Sequence, residues 1–205
     1  MAVSAVFFDK DGTLVENDPG NSDPSEFRLL PGAGDALAAL GAEGFRLFVV
    51  TNQPGVARGR IPPDAISACE SALRLALRRW GAELSGFYWC PHDPQGVVSE
   101  LAVDCLCRKP RPGLVDRAAL EHGIDCSRSW MVGDILNDVE AGHRAGCRSI
   151  LLDTGGETEW KITSLRRPDW VAYSLGQVAQ LIINDRRDRK GRRDLPAPTG
   201  EAARP

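Results

Sequence analysis

The sequence lacks several features that define large classes of protein. None of its apolar runs is long enough to cross a bilayer, because the longest have the length of a strand. We expect no secretory signal, since Asp9, Lys10 and Asp11 interrupt the only early apolar run. A net charge of -3 over 205 residues gives no reason to expect nucleic acid or an acidic membrane as a partner. We therefore expect a cytoplasmic protein that is a monomer and binds neither nucleic acid nor membrane.

The alternation of short apolar runs with amphipathic stretches predicts the fold class. Near-continuous apolar runs are typical of strands that are covered on both faces of a parallel sheet. Such runs occur at 5–8, 47–50, 87–89, 130–132, 149–152 and 170–172. Helical spacing lies between them, at 35–42, after Pro62-Pro63, at 113–122, at 137–145 and around 181–183. This order predicts a doubly wound, Rossmann-like α/β domain without a large cap domain over residues 1–183. Residues 184–205 lack apolar side chains to bury and are predicted to be a disordered tail.

Polar residues follow the predicted strands at the points where the strands end. Asp9 and Asp11 follow the first strand, Thr51 ends the second, and Asp134 follows the fourth. Ligands of doubly wound sheets bind beyond the carboxyl ends of the strands, so we expect these side chains to meet. A carboxylate can attack phosphorus only if a cation such as Mg²⁺ offsets the repulsion between the two groups. The pattern therefore predicts Mg²⁺-dependent phosphoryl transfer, with Asp9 as nucleophile and Asp11 as general acid and base.

Each of these motifs has an ordinary interpretation when it is taken singly. Asp-Gly is a common turn, Thr51-Asn52 could be a helix cap, and Lys109 could be a solvated surface charge. Four motifs in order at successive strand ends do not share such an explanation. Together they resemble the haloacid dehalogenase (HAD) superfamily, whose nucleophile motif is similar to Asp-Lys-Asp-Gly-Thr at 9–13.

The resemblance implies a role for each matching residue. Thr51 would bind phosphate and Lys109 would neutralise charge, while Asp9, the Asp11 carbonyl and Asp134 would hold Mg²⁺. Asp138 would lie beside this group without being a direct ligand. Asn52, Gln53 and Arg108 are expected to bind the substrate.

Three cysteines and a histidine cluster between the third strand and Lys109. Cys90, His92, Cys105 and Cys107 form a Cys₃His set that suits a structural, tetrahedral Zn²⁺ in a loop at about 90–107. The alternative is a loop with incidental buried cysteines. Cys-Pro-His followed by Cys-Leu-Cys-Arg-Lys-Pro resembles the zinc loop of the heptose-bisphosphate phosphatases, which have histidinol-phosphate phosphatases as near relatives. Because Lys109 follows Cys107 so closely, zinc would fix its position. The other three cysteines are interpreted as single, buried small residues.

The substrate implied by the resemblance is a small phosphorylated metabolite. Heptose 1,7-bisphosphate is the first candidate and histidinol phosphate is the alternative, because 16–21 lacks the expected aromatic and histidine residues and Ile135 replaces a polar one. We expect the loops at 16–27, 53–60 and 90–108 to select it, with cations converging there: Arg58, Arg60, Arg108, Lys109 and Arg111. Two other classes remain open. A catalytically silent phosphate-binding protein would normally have lost an acid or Lys109, and a phosphotransferase usually needs a cap that excludes water.

Overall fold

A parallel sheet of six strands organises the chain. The computed structural model describes residues 3–16 and 28–193. The strands are β1 (Ala5–Phe8), β2 (Arg46–Asn52), β3 (Gly86–Cys90), β4 (Trp130–Gly133), β5 (Arg148–Leu152) and β6 (Trp170–Ala172). They lie in the order β3-β2-β1-β4-β5-β6, and every neighbouring pair is parallel. The predicted doubly wound α/β fold is confirmed.

Helices cover both faces of the sheet, which explains why its central strands are apolar throughout. The helices are α1 (Ala33–Ala42), α2 (Pro54–Ala57), α3 (Pro63–Arg78), α4 (Gly113–His122), α5 (Leu136–Arg144) and α6 (Leu175–Arg193). One core cluster joins α1, α3 and α6 to one face of the sheet, and α4 packs on the other face with Phe7, Phe48 and Met131. All four residues of β1 are fully buried, as a strand between two helical layers must be.

The strand order places a topological switch point at β1. The chain moves outward from β1 through β2 to β3, and then returns to the other side of β1 to build β4, β5 and β6. Residues that follow β1, β2 and β4 therefore come from three adjacent strands at one edge of the sheet. This edge is where doubly wound folds bind their ligands.

The predicted tail begins later than the sequence analysis placed it. The apolar part of α6 ends at Ile183, but the helix continues to Arg193, so residues 184–193 are helical and not a tail. The prediction was wrong because it considered only hydrophobic burial. Asp185 pairs with Arg148 at the start of β5, and the Arg186 guanidinium lies 4.4 Å from the centre of the Phe45 ring. These contacts join the helix extension to the domain, and residues 194–205 lie outside the described residues.

Two smaller interpretations also change. Trp80 lies at helical spacing from the buried side chains of α3 and is expected to share their stripe, but it follows the helix, is about half exposed and contacts Gly34 of α1. Cys126 and Cys147 were interpreted as single buried residues; Cys147 is buried, but Cys126 is only partly so. Within the described ranges, none of the helices has both the length and the apolar character that a bilayer crossing requires.

Candidate active site

The loop that carries the predicted nucleophile, residues 9–13, leaves β1 at the switch point and turns sharply; we call it the nucleophile loop. The backbone N–H of Asp9 donates to the Val132 carbonyl of β4 at 2.9 Å, which fixes the loop against the neighbouring strand. Gly12 has a φ of 80°, a conformation that favours glycine. A Cβ atom at Gly12 would also lie 2.3 Å from Oδ2 of Asp134. Glycine is therefore required both for the turn and for the close approach of the β1 and β4 loops.

A buried lysine connects two of the carboxylates. Lys109 Nζ lies 2.6 Å from Oδ1 of Asp9 and 2.6 Å from Oδ1 of Asp138, and all three side chains are almost entirely buried. Burial alone would lower the pKa of Lys109, but the charges of Asp138 and Asp9 outweigh it and raise the pKa above its ordinary value. Lys109 therefore carries a permanent positive charge directly beside Asp9.

The acidic residues at this edge form a group that one lysine cannot fully neutralise. Side-chain oxygens of Asp9, Asp134 and Asp138 lie within 4.8 Å of one another, and all three residues are buried. Burial raises the pKa of Asp9 to about 7, against the opposing charge of Lys109. Burial also raises the pKa of Asp134 to about 6, and the charge of Asp138 adds to the rise. Buried carboxylate oxygens in excess of nearby cations are a donor set that suits a hard divalent ion such as Mg²⁺.

Residues at the end of β2 and directly after it hold Lys109 and Asp11 in place. Asn52 exchanges two hydrogen bonds with the Lys109 backbone: its Nδ2 donates to the carbonyl at 3.1 Å, and its Oδ1 accepts from the N–H at 3.0 Å. Gln53 Nε2 donates to Asp11 Oδ2 at 2.8 Å and to Thr51 Oγ1 at 3.0 Å. Gln53 was predicted to contact the substrate. In the structure it is buried, and its amide orients Asp11 instead. Asp11 also accepts from Lys10 Nζ at 2.5 Å.

The four predicted zinc ligands converge at one point. The three thiol pairs among Cys90, Cys105 and Cys107 are separated by 3.1 to 3.5 Å, and His92 Nδ1 lies 3.3 Å from Cys107 and 3.5 Å from Cys90. A tetrahedral Zn²⁺ with Zn–S bonds of about 2.3 Å separates its sulfurs by roughly 3.8 Å, so small outward shifts would accommodate the ion. Burial raises the pKa of the Cys90 thiol, and the Cys107 thiol adds to the rise. A divalent cation that stabilises thiolates would offset this penalty.

The cysteine cluster is physically continuous with Lys109. The backbone N–H of Arg108 donates to Sγ of Cys105 at 3.3 Å, and its guanidinium donates to the His92 carbonyl at 3.0 Å. Arg111 donates to the Cys105 carbonyl at 2.6 Å. The segment that supplies the active-site lysine is thus held by the cluster on one side and by Asn52 on the other.

A cavity of about 620 Å³ lies above these groups. Its lining includes the acids, Asn52, Arg108, Lys109 and Arg111, together with residues of four segments of the chain: Pro54, Pro94, Asp104, Cys105, Pro110, Ile135, Asn137 and Gly156. Arg58 instead pairs with Asp93, and neither Arg58 nor Arg60 lines the cavity, so only part of the predicted cation cluster converges. Residues 17–27 of the predicted substrate loop lie outside the described residues.

The loop after β5 also contributes to the site, although no motif in the sequence predicts it. The nucleophile loop is contacted by Thr154, and Asp134 is contacted by Gly156. The start of α5 is contacted by Glu157. The only signal in the sequence is a Gly-Gly-Glu run after an apolar strand, which is also an ordinary turn.

Comparisons with known proteins agree with this geometry. Residues 106–178 match the HAD-hydrolase-like family model. The D-glycero-β-D-manno-heptose-1,7-bisphosphate 7-phosphatase of Yersinia pestis is 35% identical over 89% of this chain and 96% of its own length. The enzyme of the same name from Pasteurella multocida is 38% identical over 87% of this chain and 96% of its own length.

A solved structure adds the metal to this comparison. The D,D-heptose 1,7-bisphosphate phosphatase of B. bronchiseptica, complexed with magnesium and phosphate, superposes with a TM-score of 0.74 at 27% identity. The superposition covers 89% of this chain and 99% of that one. The predicted resemblance is confirmed: the chain belongs to the HAD family of hydrolases, among its phosphatases.

Proposed function

We propose that this phosphatase hydrolyses a small sugar phosphate, most specifically heptose 1,7-bisphosphate, through a phosphorylated Asp9. The observation that carries the proposal is the buried Lys109 ammonium, 2.6 Å from Asp9 at the floor of a cavity that Arg108 also lines. Relatives that share 35 to 38% of their residues with this chain over almost their full length are named for that substrate. Two cavity arginines and the lysine suit a doubly anionic ligand.

The first step transfers the phosphoryl group to the protein. A carboxylate oxygen of Asp9 attacks phosphorus, and the bond from phosphorus to the sugar oxygen breaks. Asp11 donates a proton to that leaving oxygen, so the sugar departs as a neutral alcohol. Lys109 neutralises charge on the phosphoryl oxygens. Asp9, Asp134 and the Asp11 carbonyl would hold Mg²⁺, which supplies the positive charge that lets two anions approach.

The second step returns Asp9 to its starting state. Asp11 takes a proton from a water molecule whose oxygen attacks phosphorus, and the bond between Asp9 and phosphorus breaks to release inorganic phosphate. Gln53 supports both steps because its amide holds the Asp11 carboxylate at 2.8 Å, close to the nucleophile. Asp138 anchors the far side of Lys109, which keeps the ammonium directed at Asp9.

The Cys₃His cluster would hold a structural zinc ion that positions the substrate-binding cations. The four side chains would fill all four positions of a tetrahedral zinc ion, which would leave none open for a water molecule to be activated. Two features support this role: the hydrogen bond from the Arg108 N–H to Cys105 and the short stretch of chain from Cys107 to Lys109. An ion that fixed the cluster would also fix both cations.

Replacement of the nucleophile should abolish turnover. Asp9→Asn removes the attacking oxygen charge and is expected to lower kcat by about 10³-fold or more, as loss of a covalent nucleophile does in other enzymes. Release of inorganic phosphate measures it, and Asp35→Asn on the exposed side of α1 is the control. Undiminished activity in Asp9→Asn would disprove the mechanism.

Removal of zinc should loosen the segment that carries Lys109. We expect one zinc per chain by elemental analysis, and lower activity and a lower Tm after chelation even when Mg²⁺ is resupplied. Cys107→Ala should lose the zinc, whereas Cys69→Ala in α3, outside the cluster, should retain it. A chelated enzyme with full activity in Mg²⁺ would refute the positioning role.

A substrate panel decides between the two candidate esters. Heptose 1,7-bisphosphate should give a higher kcat/KM than histidinol phosphate, because a second phosphate can pair with Arg108. Arg108→Ala should reduce this preference more than it reduces hydrolysis of a monophosphate. The feature that favours histidinol phosphate is the apolar Ile135 in the cavity wall. A higher kcat/KM for histidinol phosphate would overturn the substrate assignment while leaving the reaction intact.

A further inference from the structure

The loop after β5 contacts both halves of the active site. We call residues 154–157 the clamp loop. Thr154 Oγ1 donates to the Gly12 carbonyl in the nucleophile loop at 3.4 Å. Gly156 lies so close to Asp134 that a Cβ atom there would be 2.1 Å from Oδ2. Glu157 Oε2 accepts a hydrogen bond from the backbone N–H of Leu136 at 2.6 Å. The clamp loop thereby joins the nucleophile loop to the acidic motif.

Glu157 completes a helix N-terminus whose N-cap residue offers no side-chain acceptor. Ile135 occupies the N-cap position of α5, and its side chain has no hydrogen-bond acceptor. The Asp138 carboxylate accepts from the Ile135 N–H at 3.3 Å, which leaves the next N–H, that of Leu136, for Glu157. A carboxylate is also favoured by the positive end of the helix dipole. The other oxygen of Glu157 accepts from the Glu159 N–H at 2.5 Å, so the carboxylate is held on both sides.

The capped N–H lies between the two acids on which the site depends. Leu136 is fully buried and lies midway along the chain between Asp134 and Asp138. A shift of this segment would therefore move both carboxylates relative to Asp9 and Lys109. Misplacement of catalytic groups by about 1 Å can cost roughly 10²-fold in rate.

We propose that Glu157 is a positioning residue: its hydrogen bond to Leu136 fixes the backbone that presents Asp134 and Asp138 to the cation and to Lys109. The inference rests on the proposed function, because it assumes that this acidic group holds the Mg²⁺. Glu157 itself touches no reacting atom in this account.

Three variants separate the hydrogen bond from the charge and from general effects on the loop. Glu157→Ala removes the acceptor, whereas Glu157→Gln retains an oxygen that can accept from Leu136. Glu159→Ala is the matched control, because among residues 3–16 and 28–193 its exposed carboxylate pairs only with Lys161, at 3.6 Å. Each full-length variant is compared with the wild type for Mg²⁺ affinity by calorimetry, hydrogen exchange of the Leu136 amide, kcat, KM and Tm.

We expect Glu157→Ala to weaken Mg²⁺ binding and lower kcat by about 10-fold or more, as loss of residues that orient metal ligands typically does. Exchange of the Leu136 amide should accelerate in the same variant, while KM at saturating Mg²⁺ should change little. Glu157→Gln should restore most of the Mg²⁺ affinity and the slow exchange, and Glu159→Ala should match the wild type.

Several results would overturn the inference. Wild-type Mg²⁺ affinity in Glu157→Ala would do so, whether or not Tm falls, since a lower Tm alone indicates only a structural role. Equal losses in Glu157→Gln and Glu157→Ala would refute the hydrogen-bond account. Metal affinity and amide exchange do not require turnover, so a wild type that binds Mg²⁺ but hydrolyses no sugar phosphate would refute the proposed function alone.

Discussion

The ion pair between Lys109 and Asp9 is the contact on which the rest of the site depends. The ammonium is buried between Asp9 and Asp138, at 2.6 Å from each, and each of the three groups would be costly to bury without the others. Removal of one partner from a buried pair of this kind costs about 3–5 kcal/mol in other proteins, so the arrangement is strongly fixed. It joins β1, which supplies Asp9, to α5, which supplies Asp138, and to the segment that follows the cysteine cluster.

Lys109 lies in a connection without regular structure, so its position must come from contacts outside helices and strands. Asn52 binds its backbone through two hydrogen bonds from the end of β2, and the cysteine cluster holds the residue before it. A zinc ion in that cluster would make one end of the segment rigid without entering the chemistry. The two metals would thus have separate duties: one sets where the cations lie, and the other offsets the charge of the acids.

The location of the site could be predicted from the sequence because parallel sheets bring their carboxyl ends to one edge. Asp9, Thr51 and Asp134 follow apolar runs, and the structure places those runs in three adjacent strands. Side-chain orientation was not predictable in the same way. Gln53 lies two residues after Thr51, which is predicted to bind phosphate, but packing turns the Gln53 amide inward to Asp11. The cap from Glu157 and the extension of α6 beyond Ile183 depend on partners distant in the chain, which neither periodicity nor motif order encodes.

A phosphorylated Asp9 is the central claim, and chemical trapping tests it most directly. Borohydride reduces an acyl phosphate to an alcohol, so enzyme quenched during turnover should contain homoserine in place of Asp9, as peptide mass spectrometry would show. The conversion should require substrate and Mg²⁺. Homoserine at another aspartate, with Asp9 unmodified, would contradict the account.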